Sequence, residues 1–63
     1  MPSLAQIPSH LLDPEMQLDF LFWLGNLPIS ENTAKEYMKL WKDATGHSFD
    51  ADDWNYITRA LRL

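Results

Sequence analysis

Five large apolar side chains stand in a row in this chain, Phe20, Leu21, Phe22, Trp23 and Leu24, and they lie in a segment marked as a helix at both ends. Asp13 can cap the free amides, Pro14 suits the first helical position, Glu15 favours the positive end of the dipole, and Gly25 is the expected stop. A helix over about residues 14–24 follows. At about 100° per residue its apolar side chains fall on two faces. Met16, Phe20, Trp23 and Leu24 share one, Leu18, Leu21 and Phe22 the opposite one, with Gln17 and Asp19 between them. A helix that is hydrophobic nearly all round must be covered on both sides. The chain has 63 residues, and a domain this small buries only about 60% of the surface its unfolded chain exposes. Interior room is therefore short, and one face of this helix is a candidate contact surface.

The flanking sequence supplies the rest of the fold. Residues 1–12 hold Pro2 and Pro8 and no sustained period, and they read as an irregular arm with a helical turn at its end. Leu4, Ile7, Leu11 and Leu12 make that arm apolar. It either folds over the first helix or adds to its contact face. After the "NLPIS" connection, Ser30 caps a second helix over about 31–45, ended by Gly46. Here Ala34, Tyr37, Met38, Leu40, Trp41 and Ala44 form an inward arc, and Lys35, Lys39 and Lys42 an outer one. In the third helix, about 51–62, Asp50 can cap, Asp52 and Asp53 occupy the acidic first turn, and Phe49 and Trp54 take the two positions of a hydrophobic staple. Trp54, Ile57 and Leu61 form its inward stripe, and Arg59 and Arg62 suit the C-terminal end. No segment alternates with period two. The expectation is an all-α domain over 13–63 with an apolar arm at 1–12: three helices, or four counting a turn in the arm, as a SAM-like or orthogonal bundle.

Composition narrows the chemistry. Hydrophobic residues are 46% and charged residues 22% of the chain, values of a folded domain rather than a disordered one. Without cysteine there is no disulfide framework or thiolate metal site. His10 and His47 have no helical mate, which argues against a zinc site. The cluster Asp50, Asp52 and Asp53 fails the Ca²⁺-loop pattern, because Tyr56 stands where that loop needs glycine and Arg62 where it needs glutamate. Neither glycine belongs to a phosphate loop, and no nucleophile stands with an oriented base. No enzyme, cofactor or metal is expected. The start of the chain lacks the pattern of a signal peptide and no run is long enough for a membrane span, so the expected location is the cytoplasm.

The stretch "LDFLFWLGNLPISENTAKEYMKLWKDATG" resembles the SAM-like, core-binding N-terminal domain of phage integrases and other tyrosine recombinases. That family pairs an apolar "FL.WL" helix with a second helix opened by Ser-x-Asn-Thr and a later Tyr, here Ser30, Asn32, Thr33 and Tyr37, and "DADDWNYITRAL" is similar to its next helix. The resemblance covers about residues 18–62 and implies an all-α fold and a role beside DNA. The family's fourth helix and catalytic domain have no counterpart up to Leu63, and Tyr37 and Tyr56 do not match its nucleophile motif, so recombinase activity is not implied. A missing helix would leave its neighbours' apolar faces uncovered. The same residues also resemble a LuxR-type helix-turn-helix, although Asn26, Leu27 and Pro28 break the tight turn that motif needs.

Two candidate surfaces result. The first is a protein-binding face on the first helix, Leu18, Leu21 and Phe22, extended by Leu11 and Leu12 of the arm, for a protein partner or a second copy in a homodimer. The second is a nucleic-acid face on the second helix, Lys35, Lys39 and Lys42 with Asn32. Against it stands the formal net charge of −4, which opposes approach to phosphates, and the expectation that Glu31 pairs with Lys35 and Asp43 with Lys39. The leading expectation is thus a small helical interaction module of regulatory type.

Overall fold

The computed structural model describes residues 4–62. Three short 3-10 turns, Leu4–Gln6, Ser9–Leu11 and Pro14–Met16, lead into α1 (Gln17–Gly25), α2 (Glu31–Thr45) and α3 (Ala51–Arg62). Among the described residues there is no strand, and the domain is all-α with three helices. Its radius of gyration of 10.5 Å matches the roughly 10.6 Å of a single packed globule of this length, so arm and helices share one core.

Local chemistry accounts for most of the element ends. The Asp13 carboxylate accepts from the Glu15 amide at 2.9 Å, with Pro14 opening the turn. The first turn is 3-10 rather than α, so the expected helix at 14–24 begins as Pro14–Met16 and becomes α-helical only at Gln17; such tightening is frequent at helix N-termini. Ser30 caps α2 by accepting from the Thr33 amide at 3.2 Å, and Gly46 ends it in the left-handed region with φ of 79°. At α3 the box is reciprocal: the Asp53 amide donates to the Asp50 carboxylate at 3.0 Å, and the Asp50 amide to that of Asp53 at 3.2 Å. Gln17 of α1 donates to that same Asp53 carboxylate and to the Ser48 carbonyl, both at 3.2 Å. One amide side chain thereby ties α1 to the start of α3.

Gly25 behaves differently from the stop expected of it. It is the last residue of α1, Asn26 takes the cap position at φ −97°, and the described glycine with positive φ is Gly46. What Gly25 provides is space, since a Cβ there would lie 2.9 Å from the Cβ of Ala60. The two small residues let α1 and α3 approach closely.

The core is aromatic and centred on Trp41 and Phe20, both fully buried. Their rings stack at 5.3 Å, and Phe49 closes on them at 5.0 Å from Trp41 and 6.0 Å from Phe20. Trp23 adds an edge contact to Tyr37 at 5.7 Å. Leu24, Ala34, Met38 and Ile57 complete the interior.

The arm is part of this core. Ile7 and Leu11 are buried, the indole N–H of Trp41 donates to the Leu11 carbonyl at 2.6 Å, and the Tyr37 hydroxyl donates to Gln6 at 2.9 Å. Both bonds satisfy polar atoms that α2 would otherwise bury alone, a requirement that costs about 1–3 kcal/mol when unmet. The boundary expected at residue 12 is therefore not a boundary of packing. The side chain of Leu4, assigned to the same arm, lies outside what the structure describes.

Candidate functional site

Seen down α1, the residues sort by rotation. Phe20, Leu21 and Leu24 are buried, whereas Leu18, Asp19 and Phe22 are exposed. Leu18 is 76% and Phe22 66% exposed, and with Tyr56 of α3 at 41% they are the large hydrophobics left on the surface among the described residues. Leu18 and Phe22 are one turn apart and therefore neighbours on the helix surface.

Two of the expected contact residues move to the interior. Leu21, assigned to the outer face, is 2% exposed. In the row Leu18, Leu21, Leu24 each step rotates about 60° around the axis, so Leu21 sits midway between the outward Leu18 and the buried Leu24. Where α3 packs decides its side. Leu11, expected to widen the contact face, is 3% exposed, because the arm turns it inward beneath the Trp41 bond. Leu12 is half-buried and packs against the core. The outer face therefore keeps Leu18 and Phe22, loses Leu21 and Leu11, and gains Tyr56.

Tyr56 has a faint trace in the sequence. It stands one turn before Ala60, and both approach Gly25, with the Tyr56 ring 3.6 Å from where a Cβ would be. A small pair at a helix crossing thus brings the next turn of α3 beside α1. Two grooves run along this seam. One, of about 300 Å³, is lined by Leu18, Leu21, Phe22, Asp53 and Tyr56. The other, of about 590 Å³, continues past Phe22 and Tyr56 toward Leu27, Ile29 and Leu61.

The lysine face is more organised than expected. Lys35, Lys39 and Lys42 line one groove of about 230 Å³ together with Phe49 and Trp54. The Lys35 ammonium lies 5.7 Å from the centre of the Trp54 ring, within cation–π range. Glu31 does not take up Lys35 as expected. It pairs with Arg62 at 3.3 Å across the α2–α3 interface, a geometry that favours the inter-helix partner over the neighbour on the same helix. Asn32 is exposed and does not line the lysine groove.

Among the described residues no group of three or more His, Cys, Asp or Glu side chains is placed to hold a metal ion, and the Asp50 and Asp53 carboxylates are engaged in capping. No described helix is long and apolar enough to cross a membrane. Every buried side-chain nitrogen or oxygen among the described residues has a hydrogen-bond partner, as buried polar groups generally require. Compared with known proteins, the chain matches no family model, no curated protein and no solved structure.

Proposed function

We propose that the chain is a small non-enzymatic helical interaction module that binds another protein chain through the outer face of α1. One observation carries this reading: Leu18 and Phe22 stand 76% and 66% exposed beside each other in a domain whose other α1 leucines are buried. Covering each side chain contributes about 1.5–3 kcal/mol before the costs of association. The partner is either a second copy paired about a two-fold axis or a different protein, and the expected place of action is the cytoplasm. The test compares wild type with Leu18→Ser/Phe22→Ser, both by light scattering over a range of concentrations and by capture from the native host. Loss of association with unchanged circular dichroism is the expected result. Association that survives the double substitution would sink the proposal.

A second reading is DNA binding, in keeping with the recombinase-like resemblance. Its specific support is the convergence of Lys35, Lys39 and Lys42 on one groove that also holds Trp54 and Phe49, since cationic grooves with aromatic walls suit nucleic-acid strands. The net charge of −4 ranks it second. A salt-sensitive mobility shift with duplex DNA that disappears in Lys35→Glu/Lys39→Glu would reverse the order.

A further inference from the structure

The grooves on either side of Phe22 differ from the lysine groove in the sign of their charge. Asp53 lines the groove that holds Leu18 and Tyr56. On the other side of Phe22, toward the arm, a further groove is lined by Asp19 and His10, together with Pro8, Leu11, Trp23 and Leu27. Arg59 lies one turn along α3 from Tyr56 but lines none of these grooves. The three lysines face their own groove elsewhere, on α2. An apolar ridge formed by Leu18, Phe22 and Tyr56 is thus bordered by one carboxylate on each flank, Asp53, which also accepts from Gln17 and the Asp50 amide, and Asp19, which shares its groove with His10.

From this we infer that the occupant of the α1–α3 face is a basic amphipathic helix of a different protein, not a second copy of this chain. The inference rests on the reading of that face as an association surface and names its partner. Two arguments select the occupant. The first is charge: a two-fold pairing through this face brings the Asp19 and Asp53 carboxylates of both copies into one interface, between chains that each carry −4, and like charges juxtaposed in that way oppose association. A helix bearing Lys or Arg beside its apolar stripe turns that penalty into attraction. The second is area. The exposed parts of Leu18, Phe22 and Tyr56 amount to roughly 400 Å², about half of the ~800 Å² that each side of a standard protein interface provides. A single helix laid along a seam, with anchors at i, i+3, i+4 and i+7, is the recognition mode suited to so narrow a strip.

The probe is a Leu/Lys amphipathic peptide of about four helical turns, labelled for fluorescence anisotropy. It is compared with a permuted peptide of the same composition and with a Leu/Glu version, and its footprint is mapped by amide chemical shifts. The Leu/Lys peptide is expected to bind at least about tenfold tighter than either control and to shift residues of α1 and α3 around Phe22. That binding should be lost in Phe22→Ser, weaken several-fold in Asp19→Lys, and fall with added salt as exposed charge pairs do. Equal binding of the Leu/Glu peptide or of the permuted one, or a footprint away from Phe22, overturns the inference. A Phe22-dependent homodimer without peptide binding overturns the basic-helix partner alone and leaves the association face standing. If no association of any kind depends on Phe22, both fall.

Discussion

Phe20 and Phe22 are the same residue two positions apart on one helix, yet Phe20 is fully buried and Phe22 is 66% exposed. Two positions are about 200° of rotation, so the pair samples nearly opposite sides of α1. On Phe20's side stand Trp41, Phe49 and Trp23, with ring centres within 5.3–6.0 Å. On Phe22's side there are only groove margins, Leu27, Asn26 and Tyr56 among them. Burial is therefore a property of what the chain has available to pack against a side, and hydropathy says only which side chains would gain from it. The arm covers part of the surplus, through Ile7 and Leu11. It comes as far as the groove beside Phe22 but leaves Phe22 and Leu18 exposed.

Substitutions can break or sharpen this contrast. The largest effect is expected of Phe20→Ala, which removes the stacked ring under Trp41 and should cost about 3–5 kcal/mol. A chain of this length has a total stability of only about 3–9 kcal/mol, so urea titration followed by circular dichroism should show little or no folded baseline; a cooperative transition near that of wild type would place the core elsewhere. Next comes Trp41→Phe, which keeps a ring but removes the N–H that holds the Leu11 carbonyl. A loss of about 2 kcal/mol is expected, together with faster hydrogen exchange at the Leu11 and Leu12 amides. Exchange unchanged at those amides would mean that the arm is held by its apolar contacts alone.

Smaller again is Gly25→Ala, whose added methyl meets the Ala60 Cβ at 2.9 Å. Since Ala60 has no rotatable side chain to yield, the helices must separate, at about 1–2 kcal/mol, read as a lower urea midpoint. The double variant Gly25→Ala/Ala60→Gly should recover much of this, whereas a full additive loss would show that α1 and α3 do not meet there. Last is Phe22→Ser, for which a stability change within about 0.5 kcal/mol is expected, measured as an almost unmoved urea midpoint. Unfolding of this variant would return Phe22 to the core and remove the contrast with Phe20.

Legibility in the sequence followed the range of the interactions. The Ser30 cap, the Gly46 stop, the Asp50–Asp53 start of α3 and the amphipathic arc of α2 join atoms within a turn or two, and residue type and spacing are sufficient for them. The inward assignment of Tyr37, Met38 and Trp41 was readable for the same reason, because Lys35, Lys39 and Lys42 mark the opposite side of α2. α1 offers few such markers. Its polar residues, Gln17 and Asp19, fall between two apolar faces, and Gln17 is itself half-buried through its bonds to Ser48 and Asp53. Spacing alone therefore sets Leu21 on the outer face and leaves Leu11 available to it, whereas both are buried, and little in the order of α3 marks Tyr56 as an outward contact residue.

The amino-acid order by itself determined that three helices form, where two of them start and stop, and that their combined apolar surface exceeds what so short a chain can enclose. These outcomes depend on hydrogen bonds and side-chain spacing within single segments. Only the tertiary structure decided which part of the surplus stays outside: the Gly25–Ala60 approach draws Tyr56 beside α1, the Trp41 bond turns Leu11 inward, and Leu18 and Phe22 are left without a cover. Such choices depend on how far each segment reaches around its neighbours, a three-dimensional distance that adjacency along the chain does not encode.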